Sequence, residues 1–250
     1  MPGQRILQMC QCLLMPARRK EKIRVRCNGE RETLKTEMFK IFKRNIKSEY
    51  QERLKKSFPK KLHSDLKEVL KILPFENNAV KLCDGQTHKI DNLIHESELN
   101  IDFDYETLII PYRLYFNEPN PELEKSLTDR QKNILNCIYL RHHNGYLREK
   151  RLNLISDNSQ KWTVPFIIQL IGEYVYELLP IIDKKINETT LDFYAKFRDE
   201  NPKYWQQTES RMVSYWNEYY RYKFPKLKEY IGFEIVNRIK KRTHNTVYKT

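Results

Sequence analysis

The stretch from Trp162 to Ile182, WTVPFIIQLIGEYVYELLPII, constrains the fold more than any other part of the chain. It is the most apolar run in the sequence, yet Gln169, Glu173 and Glu177 interrupt it. No segment therefore approaches the roughly 20 consecutive apolar residues that a bilayer-spanning helix needs. The three polar residues are spaced i, i+4 and i+8, which on a helix places them in one narrow stripe with apolar surface everywhere else. The spacing predicts a central helix from Phe166 to Ile182, packed on most of its circumference, with the stripe turned to water. On that reading Glu173 and Glu177 contribute little to stability. Gly172 would admit a close neighbour, and Pro180 would kink or end the helix.

A buried helix needs other helices around it, and the sequence supplies them. Six glycines in 250 residues leave little material for phosphate-cradling loops or β-meanders, while Lys, Glu, Leu and Ile favour helix. Thr128 with Gln131 forms a capping box ahead of Ile134, Leu135, Ile138 and Tyr139. Asn144-Gly145 reads as a left-handed stop, followed by a helix from about Tyr146 to Ile155. Further helices are expected from about Thr190 to Asp199, Lys203 to Lys223 and Lys226 to Lys241. Their connections, marked by Pro202 and Pro225, are short, so consecutive helices pack as antiparallel neighbours.

Upstream, residues 32–58 contain neither Gly nor Pro, and Leu34, Met38, Ile41, Phe42 and Ile46 recur at helical spacing. This predicts a long basic amphipathic helix, with a second one from Asp65 to Leu73 that Ser64 caps and Pro74 ends. AVKLC and QTHKI flank Asp84-Gly85 and predict a β-hairpin on a type I′ turn. TLIIPYRLYF is β-rich but carries Pro111, which makes it an edge strand or an extended connector, and NEPNPELE reads as a linker. The expected class is mainly α: a multi-helical bundle or short helical-hairpin array with a small β-hairpin-containing middle segment. The expected divisions are a flexible basic tail (1–30), a basic helical arm (31–76), the β-containing middle and linker (77–126), and a C-terminal helical domain (127–250).

The formal charge of +13 is uneven. Residues 1–60 carry 17 Lys+Arg against 6 Asp+Glu, residues 61–210 carry 19 against 24, and residues 211–250 carry 10 against 3. Basic ends around an acidic middle can draw phosphate backbones or acidic protein surfaces, though they also serve simply as solvated surface. The five cysteines are odd in number and scattered, which fits free thiols in a reducing, intracellular and cytoplasmic setting. The acid-free first 20 residues read as a basic tail, since Gln8 and Gln11 break the apolar run a secretory signal requires.

Catalytic and metal signatures are not legible. His95-Glu96 begins like a zinc-binding helix, but Leu99 stands where the second histidine belongs. Cys10, Cys12 and Cys27 lack a fourth ligand. No resident cofactor or metal is expected. The densest polar cluster is RHHNGYLREKR, where His142 and His143 beside arginines and Glu149 could form a hydrolase or nuclease corner from Arg141 to Lys150. A structural corner, with His142 closing the apolar face below Ile138, is the preferred reading.

LTDRQKNIL, followed by a Gly turn and a basic second helix, resembles the opening of winged-helix DNA-binding domains of the repressor type. That resemblance implies DNA recognition by the second helix. It spans residues 127–155 and departs from the pattern at YLREKRLNLI, which lacks the usual capping residue and small-residue turn, and no β-wing follows. A structural αα-hairpin is expected instead.

On the Lys203–Lys223 helix, Trp205, Met212, Trp216 and Tyr219 form a core stripe, while Tyr204, Arg211, Tyr215 and Tyr222 lie on another face. The expected function is that of a non-enzymatic helical interaction module offered to an unidentified protein partner, with no membrane span. The alternative is a nucleic-acid-binding protein that uses its basic ends through non-specific electrostatics. Expected contact residues for either role are Lys40, Lys43, Arg44, Lys47, Arg148, Lys150, Arg151, Arg211, Tyr215 and Tyr222.

Overall fold

The computed structural model describes residues 46–82, 85–156 and 160–242. It is mainly α-helical, with two small antiparallel hairpins in the middle segment. Helix α1 covers residues 46–55, and a 3-10 turn at Lys60–Leu62 leads into α2 (His63–Ile72). The expected basic helix before residue 46, with Lys40, Lys43 and Arg44, lies outside the described residues, as does the basic tail. Helix α2 ends where Pro74 requires: Leu73 is extended, because the proline ring disfavours helical geometry in the residue before it. Ser64 is not its cap. The preceding 3-10 turn feeds straight into the helix, and no side chain caps its start.

Strands β1 (Ala79–Lys81) and β2 (Thr87–Lys89) pair as the expected hairpin, but Gly85, with φ 81°, closes the turn by donating its amide to the Leu82 carbonyl at 3.1 Å and does not stand at the centre of the expected type I′ turn, whose Asp84 lies outside the described residues. A second hairpin, β3 (Glu98–Phe103) with β4 (Glu106–Pro111), replaces the expected lone edge strand or connector. Its turn residues, Asp104 and Tyr105, both have positive φ, at 47° and 66°. The sequence shows no glycine there, so the turn is not legible from composition. Asp104 tolerates the geometry, and its carboxylate is gripped by Lys161 at 2.5 Å and Lys196 at 3.5 Å.

Beyond β4 the chain becomes a strap, not a linker. Leu114 bridges Ile94 on one side and His142 on the other, so residues 112–116 thread between two other segments. The expected linker contains a short helix, α3 (Pro121–Lys125), capped by the Asn120 side chain. Helix α4 (Asp129–Tyr139) starts on the expected capping box, with both reciprocal bonds between Thr128 and Gln131 present. Asn144-Gly145 is not a left-handed stop. Residues Arg141–His143 pair with the strap, and Asn144 caps the next helix, α5 (Gly145–Leu154), by accepting from the Tyr146 amide. The second helix of the hairpin therefore has the capping residue that its sequence was read as lacking.

The central apolar run is buried as expected but is not one helix. It forms α6 (Val164–Ile168), a 3-10 turn at Gln169–Gly172, an extended Glu173, and then α7 (Leu178–Lys185). Two residues enforce the break. Pro180 has no amide hydrogen and fits only in a first turn, so the helix restarts at Leu178 instead of ending at the proline. Gly172 lies so close to the next helix that an added Cβ would sit 2.9 Å from the Thr208 carbonyl oxygen. The i, i+4, i+8 stripe consequently dissolves. Gln169 and Glu173 are buried at 2% and 1% exposure, while Glu177 alone remains exposed.

Helices α8 (Leu191–Glu200), α9 (Pro202–Tyr215) and α10 (Ile231–Lys241) follow within the described residues. The expected continuation of α9 to Lys223 is cut short by a π-helical turn at Trp216–Tyr220. Helix α4 packs on α2 and α5, α7 on α5 and α10, and α9 on α8, α10 and the Gln169–Gly172 turn. Apolar side chains from Tyr50 to Ile239 join one buried cluster. Among the described residues, no helix is long and apolar enough to cross a membrane.

Candidate functional site

The break in the apolar run delivers Glu173 into the interior, where three arginines meet it. Arg113 from the strap donates to its Oε2 at 2.6 Å. Arg148 from α5 has its Nη2 at 3.7 Å from the same oxygen, and Arg141, just after α4, has its Nη2 at 3.8 Å from Oε1. Arg141 and Arg148 are 1% and 0% exposed. Three guanidiniums against one carboxylate leave two uncompensated positive charges in an interior where charge is expensive unless paired.

The electrostatics follow from that imbalance. Burial alone would raise the Glu173 pKa, but Arg113 and Arg148 overcome it and hold the carboxyl far below the usual carboxylate range. Burial would equally depress Arg113, and the Glu173 carboxylate raises it instead. Arg141 is pushed down to about 9 by burial and then by Arg113, so it is still charged at neutral pH. His143 is pushed down to about 4 by burial, Arg148 and Arg113. His142 falls well below its usual value through burial, with His143 and Arg148 adding to it.

The backbone sets these side chains. The bridge between Leu114 and His142 brings the strap alongside residues 141–143, so Arg113, Arg141 and both histidines converge. His142 takes a definite tautomer, because its Nδ1 accepts from the Asn144 amide and its Nε2 must then donate to the Phe116 carbonyl. It is buried against Tyr139, with ring centroids 5.9 Å apart. His143 stacks on Tyr115 at 5.5 Å, and neither of its ring nitrogens has a hydrogen-bond partner. Arg141 Nε and Nη1, Arg148 Nε and Nη2, both polar atoms of Gln169 and the Tyr204 hydroxyl are likewise buried and unbonded.

An aromatic chain leads outward from this centre. Arg211 on α9 donates to the Tyr112 hydroxyl at 2.6 Å and lies over its ring at 5.3 Å, with Arg113 over the same ring at 5.0 Å. Tyr174 meets Tyr215 edge-on, and Tyr215 stacks on Tyr219 at 6.0 Å. Tyr219 and Tyr222 are open to solvent, Tyr222 fully. The π-turn is pinned from both sides, since the Tyr220 hydroxyl donates to the Tyr174 carbonyl and the Trp216 indole N–H donates to the Phe224 carbonyl at 2.9 Å.

The expected contact residues divide sharply. Arg148 and Arg151 are not surface groups: both lie inside, Arg148 at the centre and Arg151 in a knot with Glu118, Glu124 and Asn136. A guanidinium so enclosed does not reach a nucleic-acid groove. Lys150 is exposed and pairs with Glu118 at 2.9 Å, and Lys47 pairs with Glu76 at 2.9 Å. Arg211 and Tyr215 are half-buried on the rim. The two faces assigned to the aromatic helix are not separate surfaces. Tyr204 is buried with Trp205 and Met212, whereas Tyr219 joins Tyr222 outside. Arg113, Tyr112 and Glu173 were missed as site residues. Of the cysteines, Cys137 is buried and free, and the other four lie outside the described residues. Among the described residues, no three His, Cys, Asp or Glu side chains cluster as metal ligands would. Comparison with known proteins finds no protein family, no curated protein and no solved structure that matches this chain.

Proposed function

We propose that this protein is a non-enzymatic interaction module whose protein partner docks on the tyrosine-rich face formed by the end of α9, the π-turn and the loop to Lys226. The carrying observation is the run of rings from Tyr215 through Tyr219 to the fully exposed Tyr222, with Arg221 and Lys223 alongside. Tyrosine and arginine are the side chains that interfaces concentrate, because a ring offers large contact area at low entropic cost and its hydroxyl stays wet. A π-helical turn is costly geometry that tends to persist where a surface is used. The exposed positive charge beside the rings suits an acidic partner surface.

The test is capture from lysate with the full chain and with a Tyr219→Ala, Tyr222→Ala double variant, each with and without nuclease. These side chains are exposed, so the variant should fold with unchanged thermal stability. A protein partner held by the wild type, lost from the variant and indifferent to nuclease supports the proposal. Equal capture by both chains contradicts it. Capture that nuclease abolishes transfers the surface to the alternative role, in which the rings stack bases and the lysines hold phosphates.

A further inference from the structure

We infer that the Arg113–Arg141–Arg148 centre is a binding site for a doubly charged tetrahedral oxyanion, of the phosphate or phosphate-monoester class. Three observations converge on it. The first is charge: the three guanidiniums stand within 4 Å of one carboxylate, which leaves a surplus of two positive charges with little access to water. Water can satisfy a donor, but it cannot neutralise that surplus.

The second is unused donors on the same arginines. Arg148 spends Nη1 on the His142 and His143 carbonyls at 2.7 and 3.0 Å, while Nε and Nη2 make no short hydrogen bond: Nη2 stands 3.7 Å from the Glu173 carboxylate, with Tyr174 beside the guanidinium. Those two atoms form one edge of the planar fork, the edge that fits two oxygens of an oxyanion side by side. Arg141 spends Nη2 on the Tyr112 carbonyl at 2.9 Å and leaves Nε and Nη1 unbonded, and the neutral His143 ring adds one unbonded N–H. Buried donors left unmade in such number are rare in folded proteins and costly where they occur.

The third is a rim. Tyr112, Arg113, Tyr115, Tyr174 and Arg211 are each half-buried beside the enclosed groups, so rings and guanidiniums stand between the centre and solvent. A dianion entering there meets Arg113 first and comes to rest between Arg141 and Arg148. The flanking rings favour a monoester with a flat apolar substituent over free phosphate. This site is distinct from the π-turn surface, and its occupancy does not depend on that reading.

The test is calorimetric titration and thermal melting of the full chain with inorganic phosphate, phenyl phosphate, sulfate and acetate, at constant ionic strength in chloride. Saturable 1:1 binding of the dianions, with a raised melting temperature and little response to acetate, is expected. Phenyl phosphate binding more tightly than phosphate supports the ring-lined rim, and phosphate binding more tightly overturns that part. Arg113→Gln should weaken phosphate binding about tenfold, because one charge-assisted contact is lost. Glu173→Gln supplies the arm that a merely structural cluster would not mimic. It removes the one competing anion, so phosphate should bind about tenfold tighter and restore the melting temperature that the substitution lowers. Absence of dianion binding in the wild type, or a Glu173→Gln chain that melts lower with no gain in phosphate affinity, would overturn the inference.

Discussion

His143 shows how much a single residue can disclose about its surroundings. Its ring lies against Tyr115, and the nearby charges, Arg148 and Arg113, are both positive, with His142 alongside. Nothing there favours the imidazolium, so its pKa is pushed down to about 4 from the usual histidine value near 6.5. The consequence for stability has a definite sign. Below about pH 6.5 the unfolded chain takes up a proton that the folded chain refuses, so stability falls steadily until about pH 4 and then levels off for this group. Over that window the loss is about 3 kcal/mol from His143, and His142 acts in the same direction. Glu173 adds a further loss below pH ~4.3, where its unfolded form protonates first. Urea unfolding across pH should therefore show stability decreasing continuously from pH 7 toward acid. His143→Phe should flatten the dependence between about pH 6.5 and 4 by about 1.4 kcal/mol per pH unit. An unchanged slope would mean that His143 is hydrated and titrates normally.

At the scale of elements, the sequence is legible where a local rule decides and opaque where a distant partner does. The Thr128–Gln131 capping box, the stop at Pro74 and the β1–β2 hairpin follow from chemistry contained within a few residues, and each stands in the structure. The Asp104-Tyr105 turn is not legible, since both residues adopt positive φ and neither is the glycine that would signal it. The apolar run was read correctly as buried and wrongly as continuous, because Gly172 and Pro180 break it through contacts with α9 and through helix-start geometry. One signal in the sequence did point to the centre. Arg113 is the only charge in TLIIPYRLYF and Glu173 the only charge in FIIQLIGEYVY, so two buried segments each carried one charge needing a remote partner. The packing of the 3-10 turn against α9 gives a direct check. Leu170 is fully buried, so Leu170→Ala should cost about 2 to 5 kcal/mol in denaturant unfolding with the slope unchanged. A loss below roughly 0.5 kcal/mol would place this turn at the periphery.

For the molecule as a whole, Glu173 is the point at which distant segments are tied together. The strap carries Arg113, the α4–α5 corner carries Arg141 and Arg148, and α9 brings Arg211 against Tyr112 on the outer side. Exposed ion pairs such as Lys150–Glu118 contribute little by comparison. Glu173 and its arginines thus lie inside the described fold, the reverse of the solvated polar stripe that the i, i+4, i+8 spacing suggests. The most direct measurement of that arrangement is paired chemical unfolding of Glu173→Gln and Glu177→Gln in phosphate-free buffer at neutral pH. Glu173→Gln should lose about 3 to 5 kcal/mol, because it strands buried guanidiniums, while Glu177→Gln should stay within about 0.5 kcal/mol of wild type. Equal small effects at both positions would contradict the account, for Glu173 would then face water and the buried arginine centre would not exist.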